Sequence, residues 1–456
     1  MARSVRDSSP SLGMERLGEG GNSRALTVIP PPRPDPLRPR GRRGSIVGIV
    51  GAAMFALSVT AASAAEPIKI GCSMARTGGV AGIGKQIDIA LEIWRDQINK
   101  AGGLLGRPVE LDCYDDQSNP ANVPGIYAKL IDIDKVDLLI GPYATNMVAP
   151  VIPIIMQKNM MTVGILANAA NHEFHYPGYF SMNATGPDPE GSYSTGFLAL
   201  ADAAKPKPKT MALVGADAEY GHNAIEGARK NAKKDGYDIV YDRYYPPTIT
   251  DCAPIMRAVQ ATAPDIVFVA AYPPDTVCMV RAAAEVGLKT KIFGGALVGL
   301  GITSVKMQLG PLMNGMINNT VFAPAKTLLS PEANLLIATY QERAAKEQGV
   351  DPLGFVFPPF GYAAGQVLAA AVNGTQSLDP KKLMAYLHTH PVKTVLREIS
   401  FGPDGEWTES GRLFTQFRHV VPDDVNQFRT TDHEQIIWPD KYKTADMVYP
   451  YDQAKN

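Results

Sequence analysis

Short apolar runs alternate with amphipathic helical patterns along the chain from residue 68 onward. The runs at 136–140 and 266–270 are apolar at most positions, which is typical of strands buried on both faces of a parallel sheet. On this pattern we predict eight strands, at 68–71, 109–114, 136–141, 161–166, 211–215, 239–244, 265–271 and 291–294.

Helices are predicted between these strands. Ile87, Leu91 and Trp94 recur at helical spacing, and Gly102 is placed to end that first helix. Further helical patterns cover 121–133, 146–158, 189–204, 221–235, 252–262, 275–286, 331–348 and 360–373. Because strands and helices alternate regularly, we expect parallel sheets joined by right-handed crossovers.

The chain has too many strand–helix units for one compact sheet. A segment rich in turn-forming residues at 183–189 separates a first series, 68–182, from a second, 210–300. We therefore predict an α/β protein with two doubly wound parallel-sheet lobes. The first lobe begins with 66–186 and the second with 187–318.

The first 65 residues have a different composition. They contain nine arginines, no lysine and four acidic residues, a formal charge of +5 that leaves −6 for the rest of a chain whose net charge is −1. Arg42-Arg43, an apolar run at 46–59 and small residues at 61–65 predict a signal peptide at about 42–65. A membrane span needs about 20 apolar residues, more than this run provides. We expect export to the periplasm by either the Sec or the twin-arginine route.

Composition and motifs exclude several function classes. The near-neutral charge argues against a nucleic-acid partner, and the four cysteines lack the paired spacing of a structural zinc site. Gly79 to Lys85 has the spacing of a phosphate-binding loop, but Gln86 stands where that loop needs a serine or threonine. No catalytic constellation and no metal or cofactor site is predicted, so we expect a protein that is not an enzyme.

The loop at 141–145 is the best candidate for a binding site. It follows a buried strand and precedes a predicted helix, which would make Thr145 the helix N-cap, with free backbone N–H groups beyond it. Such a helix start can hold a carboxylate. The alternative is that Thr145 caps its own helix and has no further role.

Several motifs together resemble those of the branched-chain amino acid binding proteins, the periplasmic receptors of ABC transporters for amino acids and amides. The matching motifs cover about 66–440 and are Thr77-Gly78 with Ala81 and Gly84, Ile98-Asn99 with Gly102-Gly103 and Gly106, Asp115-Asp116 with Asn119-Pro120, Ile140-Gly141-Pro142, Tyr220-Gly221, Pro264-Asp265 and Phe360-Gly361-Tyr362. The resemblance implies a type I periplasmic binding fold in which two lobes, joined by three crossing segments, close on a ligand.

The same resemblance implies a domain order and partners. The chain would return to the first lobe at 319–398 and to the second lobe, with a C-terminal extension, at 399–456. The ligand-loaded protein, expected to be a monomer, would then dock on the transmembrane permease subunits of an ABC importer.

Individual positions are also implied by the resemblance. In the family a serine or threonine after the Gly-Pro strand holds the ligand carboxylate, and Thr145 occupies that position. The remaining positions that match the ligand-binding residues of the family, or that would form walls beside them, are Tyr143, Leu166, Asn168, Tyr220, Tyr272 and Ile83.

One position departs from the family pattern. Amino-acid binders of the family place an acid after the strand that matches 291–295, to pair with the ligand ammonium, and here Leu297 stands there. A buried ammonium without a counter-charge is costly. We therefore predict a small carboxylate ligand with an apolar or aromatic body, such as a benzoate or hydroxycinnamate. Asp275 could also reach into the site and supply the missing charge.

Alternatives remain for the ligand and the role. The chain could instead be a receptor for branched-chain or other amino acids, or a ligand-sensing domain of a signalling system. Cys252 and Cys278 could form a disulfide or remain buried free thiols. The positions that match the first-lobe disulfide of the family are Ser118 and Ala144, so no disulfide is expected there.

Overall fold

A computed structural model describes residues 66–455 of the protein. The predicted signal peptide lies outside the described residues. No helix within the described range is long and apolar enough to cross a membrane.

The first lobe is built on a five-stranded parallel sheet. Its strands are β1 (Ile68–Met74), β2 (Val109–Asp115), β3 (Leu138–Tyr143), β4 (Thr162–Ile165) and β5 (Tyr179–Met182), in the spatial order β2-β1-β3-β4-β5. The helices that connect them are α1 (Ala81–Lys100), α2 (Val123–Asp132), α3 (Thr145–Val148) and α4 (Ile152–Lys158). Strands β3, β4 and β5 are buried on both faces, whereas β2, at the sheet edge, is mostly half-buried.

The second lobe begins with five parallel strands and their helices. The strands are β6 (Thr210–Ala216), β7 (Asp238–Tyr245), β8 (Ile266–Ala271), β9 (Ile292–Leu297) and β10 (Ile317–Thr320). The helices are α5 (Ser192–Ala203), α6 (Glu219–Lys234), α7 (Ala253–Ala261), α8 (Pro273–Glu285) and α9 (Thr303–Leu309).

After β10 the chain returns to the first lobe. It forms α10 (Pro331–Ala344), α11 (Pro358–Thr375), α12 (Pro380–Thr389) and a small hairpin, β11 (Val392–Lys393) with β12 (Glu398–Ile399). Helices α10 and α11 pack on α1, where Gly365 lies against the ring of Trp94 and Arg343 pairs with Asp96 at 2.6 Å.

The last strands complete the second sheet. Strand β13 (Leu413–Phe417) pairs antiparallel with β10, and β14 (Glu434–Trp438) pairs antiparallel with β13, giving the order β14-β13-β10-β9-β8-β6-β7. A short helix, α13 (Tyr451–Ala454), follows. The α/β fold with two doubly wound parallel sheets is confirmed, with an antiparallel pair of strands added at one edge of the second sheet.

Three chain segments cross between the sheets. They lie between β5 and α5, between β10 and α10, and between β12 and β13. The lobe boundaries predicted at 186/187, 318/319 and 398/399 stay predictions. Beyond residue 399 the chain still contacts the first sheet, because Trp407 Nε1 donates to the Ser181 carbonyl of β5 at 2.8 Å.

Candidate functional site

A cleft lies between the two lobes. The first lobe contributes the ends of β3 and β4 and the start of α11, and the second contributes the starts of α5, α6 and α8 and the end of β9. Strand β10 and the segment before β13 form the cleft floor. The space is about 670 Å³, a figure that includes its opening to solvent.

Four tyrosines line this cleft: Tyr143, Tyr193 and Tyr220, which are buried, and Tyr272, which is half-buried. The ring of Tyr220 lies 5.4 Å from the rings of both Tyr193 and Tyr272, and its hydroxyl donates to the Ala296 carbonyl at 2.9 Å. Burial raises the pKa of Tyr143, Tyr220 and Tyr272, which keeps these hydroxyls protonated. The walls are therefore neutral, flat and largely apolar.

Thr145 presents a hydroxyl to the cleft. Its Oγ1 accepts the backbone N–H of Asn168 at 2.9 Å, which leaves the hydroxyl hydrogen available to a ligand. The predicted N-cap assignment is wrong: Ala144, with φ at +85°, is the cap, and Thr145 is the first residue of α3. The predicted helix at 146–158 is also interrupted by a 3-10 turn, Ala149–Val151, where Pro150 cannot donate a backbone hydrogen bond.

Six of the eight residues predicted for the site line the cleft together: Tyr143, Thr145, Leu166, Tyr220, Tyr272 and Leu297. The other two are not part of the lining. Asn168 is fully buried behind Thr145, and Ile83 is fully buried in the core on α1.

Leu297 is fully buried at the end of β9 and lines the cleft. The one acid among the described lining residues, Glu434, binds Lys306 with one carboxylate oxygen and accepts from Thr415 Oγ1 at 3.2 Å with the other. Asp275 is not in the lining. It accepts from the Tyr245 hydroxyl, and burial raises its pKa to about 6.

Arg412 was missed by the sequence analysis. It is 5% exposed and lines the cleft floor, with its guanidinium 3.8 Å from the ring centre of Tyr193. Nη2 donates to Asn183 Oδ1 at 2.7 Å and Nη1 to Asn319 Oδ1 at 3.1 Å. Tyr193, Phe357 and Phe360 were also missed, because helical patterns alone do not show which helix starts face a cleft.

Hydrogen bonds join the lobes at several places, including Thr303 Oγ1 to Asp351 Oδ1 at 2.9 Å, and two of them lie near the cleft. The Tyr272 hydroxyl donates to Asn146 Oδ1 at 3.2 Å, and Asn223 Nδ2 donates to the Asn168 carbonyl at 2.8 Å. The structure therefore has the lobes in contact.

All four cysteines form disulfides. Cys252 and Cys278 pair near the starts of α7 and α8, which decides between the two states left open for them. Cys72 and Cys113, direct neighbours in β1 and β2, form a second bridge that the sequence analysis missed. Asp88 lies close to this pair, but a disulfide leaves no thiolate to bind a metal.

Comparisons with known proteins agree with this architecture. A family-wide sequence model described as "Periplasmic binding protein" matches residues 67–417. A Leu/Ile/Val-binding protein from Citrobacter freundii is 27% identical over 358 residues, which cover 78% of this chain and 92% of that protein.

Solved structures share the fold. A putative branched-chain amino acid ABC transporter protein from Silicibacter pomeroyi has a TM-score of 0.68 at 21% identity, covering 84% of this chain and 99% of that one. A solute-binding protein of an ABC transporter from R. palustris, in complex with 4-hydroxybenzoate, has a TM-score of 0.64 at 20% identity. The match covers 77% of this chain and 93% of that one.

Proposed function

The chain belongs to the periplasmic binding protein family, and from this premise we propose that it captures a small organic carboxylate with an aromatic or apolar body. It is a non-enzymatic solute-binding protein of the ABC transporter type. In our proposal it works in the periplasm, closes its lobes on the ligand and delivers it to the permease. The two disulfides are consistent with export.

The observation that carries the proposal is the charge of the cleft lining. A free amino acid brings an ammonium group that needs a carboxylate partner once it is buried. Leu297 cannot supply one, and both oxygens of Glu434 are already engaged. An organic acid without an ammonium group avoids this cost.

The walls favour a flat ligand body. Tyrosine rings pack well against aromatic rings in offset or edge-to-face arrangements. The R. palustris protein bound to 4-hydroxybenzoate supports the same ligand class. The Citrobacter freundii relative, named for leucine, isoleucine and valine, supports the second candidate, a branched-chain amino acid receptor.

A thermal-shift panel separates the two candidates. The mature chain would be heated with benzoates, hydroxycinnamates and aliphatic acids, beside the common amino acids. A ligand at 100 times its Kd stabilises the native state by about 2.7 kcal/mol, which gives a clear rise in Tm. Stabilisation by leucine or valine, with no response to any acid, would contradict the carboxylate proposal.

Thr145 offers a matched pair of variants for the responding acid. Thr145→Val removes the hydroxyl but keeps the branched shape, and we expect binding about 10- to 100-fold weaker because a hydrogen bond to a charged group is lost. Thr145→Ser keeps the hydroxyl and should bind within a few-fold of the parent protein. Titration calorimetry measures both.

A further inference from the structure

We propose that Arg412 is the residue that recognises the anionic group of the ligand, so that the site selects ligands by net negative charge. This inference rests on the proposed function and adds the group that pairs with the carboxylate. It concerns a residue outside the positions that the family resemblance implies.

Arg412 is a buried cation with no carboxylate in direct contact, although its charge acts through space on the buried Glu406. Two of its five N–H groups donate to the neutral amides Asn183 and Asn319. Its Nε is buried without a hydrogen-bond partner, and among residues 66–455 the guanidinium forms no ion pair with a carboxylate. A buried guanidinium in this state favours an anion, and a carboxylate matches its planar donors.

The position of Arg412 makes this unpaired charge accessible from the cleft. The side chain lines the floor of the cleft, with its face on the ring of Tyr193. The other charged lining residue, Glu434, is already bound to Lys306. Arg412 is thus the one lining cation, within the described part of the chain, that is available to a ligand.

The partners of Arg412 also tie it to the hinge. Asn183 lies in the first crossing segment, Asn319 is next to the second, and Arg412 itself belongs to the third. A ligand anion bound here would contact a side chain of the third segment that is bonded to the first segment and to the end of β10. Recognition of the charge and positioning of the hinge would then share a single residue.

The test compares an acid with its neutral amide. Calorimetry would measure 4-hydroxybenzoate and 4-hydroxybenzamide, which differ mainly in charge, on the mature wild-type chain. We expect the acid to bind at least about 30-fold more tightly, as loss of one partner of a buried charge pair implies. If Arg412 had a merely structural role, replacing it would change the affinities for the acid and the amide equally. The ratio of the two affinities is therefore the readout.

Three variants complete the test. Arg412→Gln should lower the acid-to-amide ratio at least about tenfold, and Arg412→Lys should retain much of it because the charge remains. Arg397→Gln is the matched control. Arg397 is a half-buried arginine that donates to the Val321 carbonyl and does not line the cleft, so its loss should leave the ratio within about twofold.

Asn319→Asp tests anion recognition by Arg412 with the arginine still in place. It is the deciding variant if Arg412→Gln does not fold. A carboxylate at 319 would neutralise Nη1 and compete with the ligand, so the ratio should again fall at least about tenfold. An unchanged ratio in the folded variants overturns the role of Arg412 and leaves the proposed function standing. If the wild-type chain binds neither probe and binds amino acids instead, the proposed function fails and the role of Arg412 fails with it.

Discussion

At the scale of single residues, the charge at position 297 decides which ligands the cleft can hold. Leu297 is fully buried in the lining, so a carboxylate placed there would face the ligand in a medium where charges interact strongly. We expect Leu297→Glu to weaken binding of a simple organic acid at least about tenfold, as measured by calorimetry.

Leu297→Gln is the control for that substitution. Glutamine has the shape and polarity of glutamate without its charge, so it separates repulsion from altered packing. Equal losses of affinity in the two variants would mean that charge at this position has no part in ligand selection.

The residues that the sequence could predict are those that directly follow strands. Thr145 and Leu297 lie at the carboxyl ends of strands, where parallel sheets bind their ligands, and both line the cleft. Arg412 lies in a crossing segment, more than 90 residues after its partner Asn319 in the sequence, and no local pattern marks it. Only the tertiary fold brings it to the floor of the cleft.

At the scale of elements, a strand whose residues are not apolar also lacks the local pattern from which strands are predicted. Strand β10 reads Ile-Asn-Asn-Thr and was missed, because its asparagines bond to the neighbouring strand through their side chains. Asn318 Oδ1 accepts from the Leu297 N–H at 3.0 Å, and Asn319 Nδ2 donates to the Gly295 carbonyl at 3.0 Å. Side-chain bonding thus replaces the apolar burial that the prediction depends on.

The crossing segments also contain a buried acid, Glu406. Its Oε2 accepts from Thr185 Oγ1 at 3.0 Å, while Oε1 is buried without a partner. Burial raises the pKa of Glu406 from 4.5 to about 7, although Thr185 and Arg412 favour the charged form. The folded state therefore holds this proton more tightly than the unfolded state between about pH 4.5 and pH 7.

This shift predicts a pH dependence of stability. Because the folded-state pKa is raised, the contribution of Glu406 to the free energy of unfolding falls by about 2–3 kcal/mol as pH rises through that window. Glu406→Gln cannot ionise, so its stability relative to the parent chain should increase by that amount between pH 4.5 and pH 7.5 in urea unfolding.

Glu409→Gln is the control for Glu406, because Glu409 is an exposed acid on the same segment. Its pH profile should follow that of the parent chain. If Glu406→Gln also follows the parent profile, Glu406 does not titrate in this range.

At the scale of the whole molecule, contacts between the lobes set how much ligand binding must contribute to closure. The bond from Asn223 Nδ2 to the Asn168 carbonyl joins α6 of the second lobe to the loop after β4 of the first. That loop also holds Thr145 Oγ1 through the Asn168 N–H. Lobe contact and the orientation of the binding hydroxyl are therefore linked through one residue.

Removing this contact should weaken ligand binding without unfolding either lobe. A net hydrogen bond contributes about 1 kcal/mol, so Asn223→Ala should bind the ligand about fivefold more weakly and, in small-angle scattering, close less completely at equal ligand concentration. His222→Ala is the matched control, because His222 is the preceding residue on α6 and its Nε2 contacts Asp217 of the same lobe at 2.7 Å. Equal affinity in Asn223→Ala and the parent chain would mean that this contact does not favour the ligand-bound state. Closure would then have to depend on the ligand and on the other bonds between the lobes, such as those from Tyr272 to Asn146 and from Thr303 to Asp351.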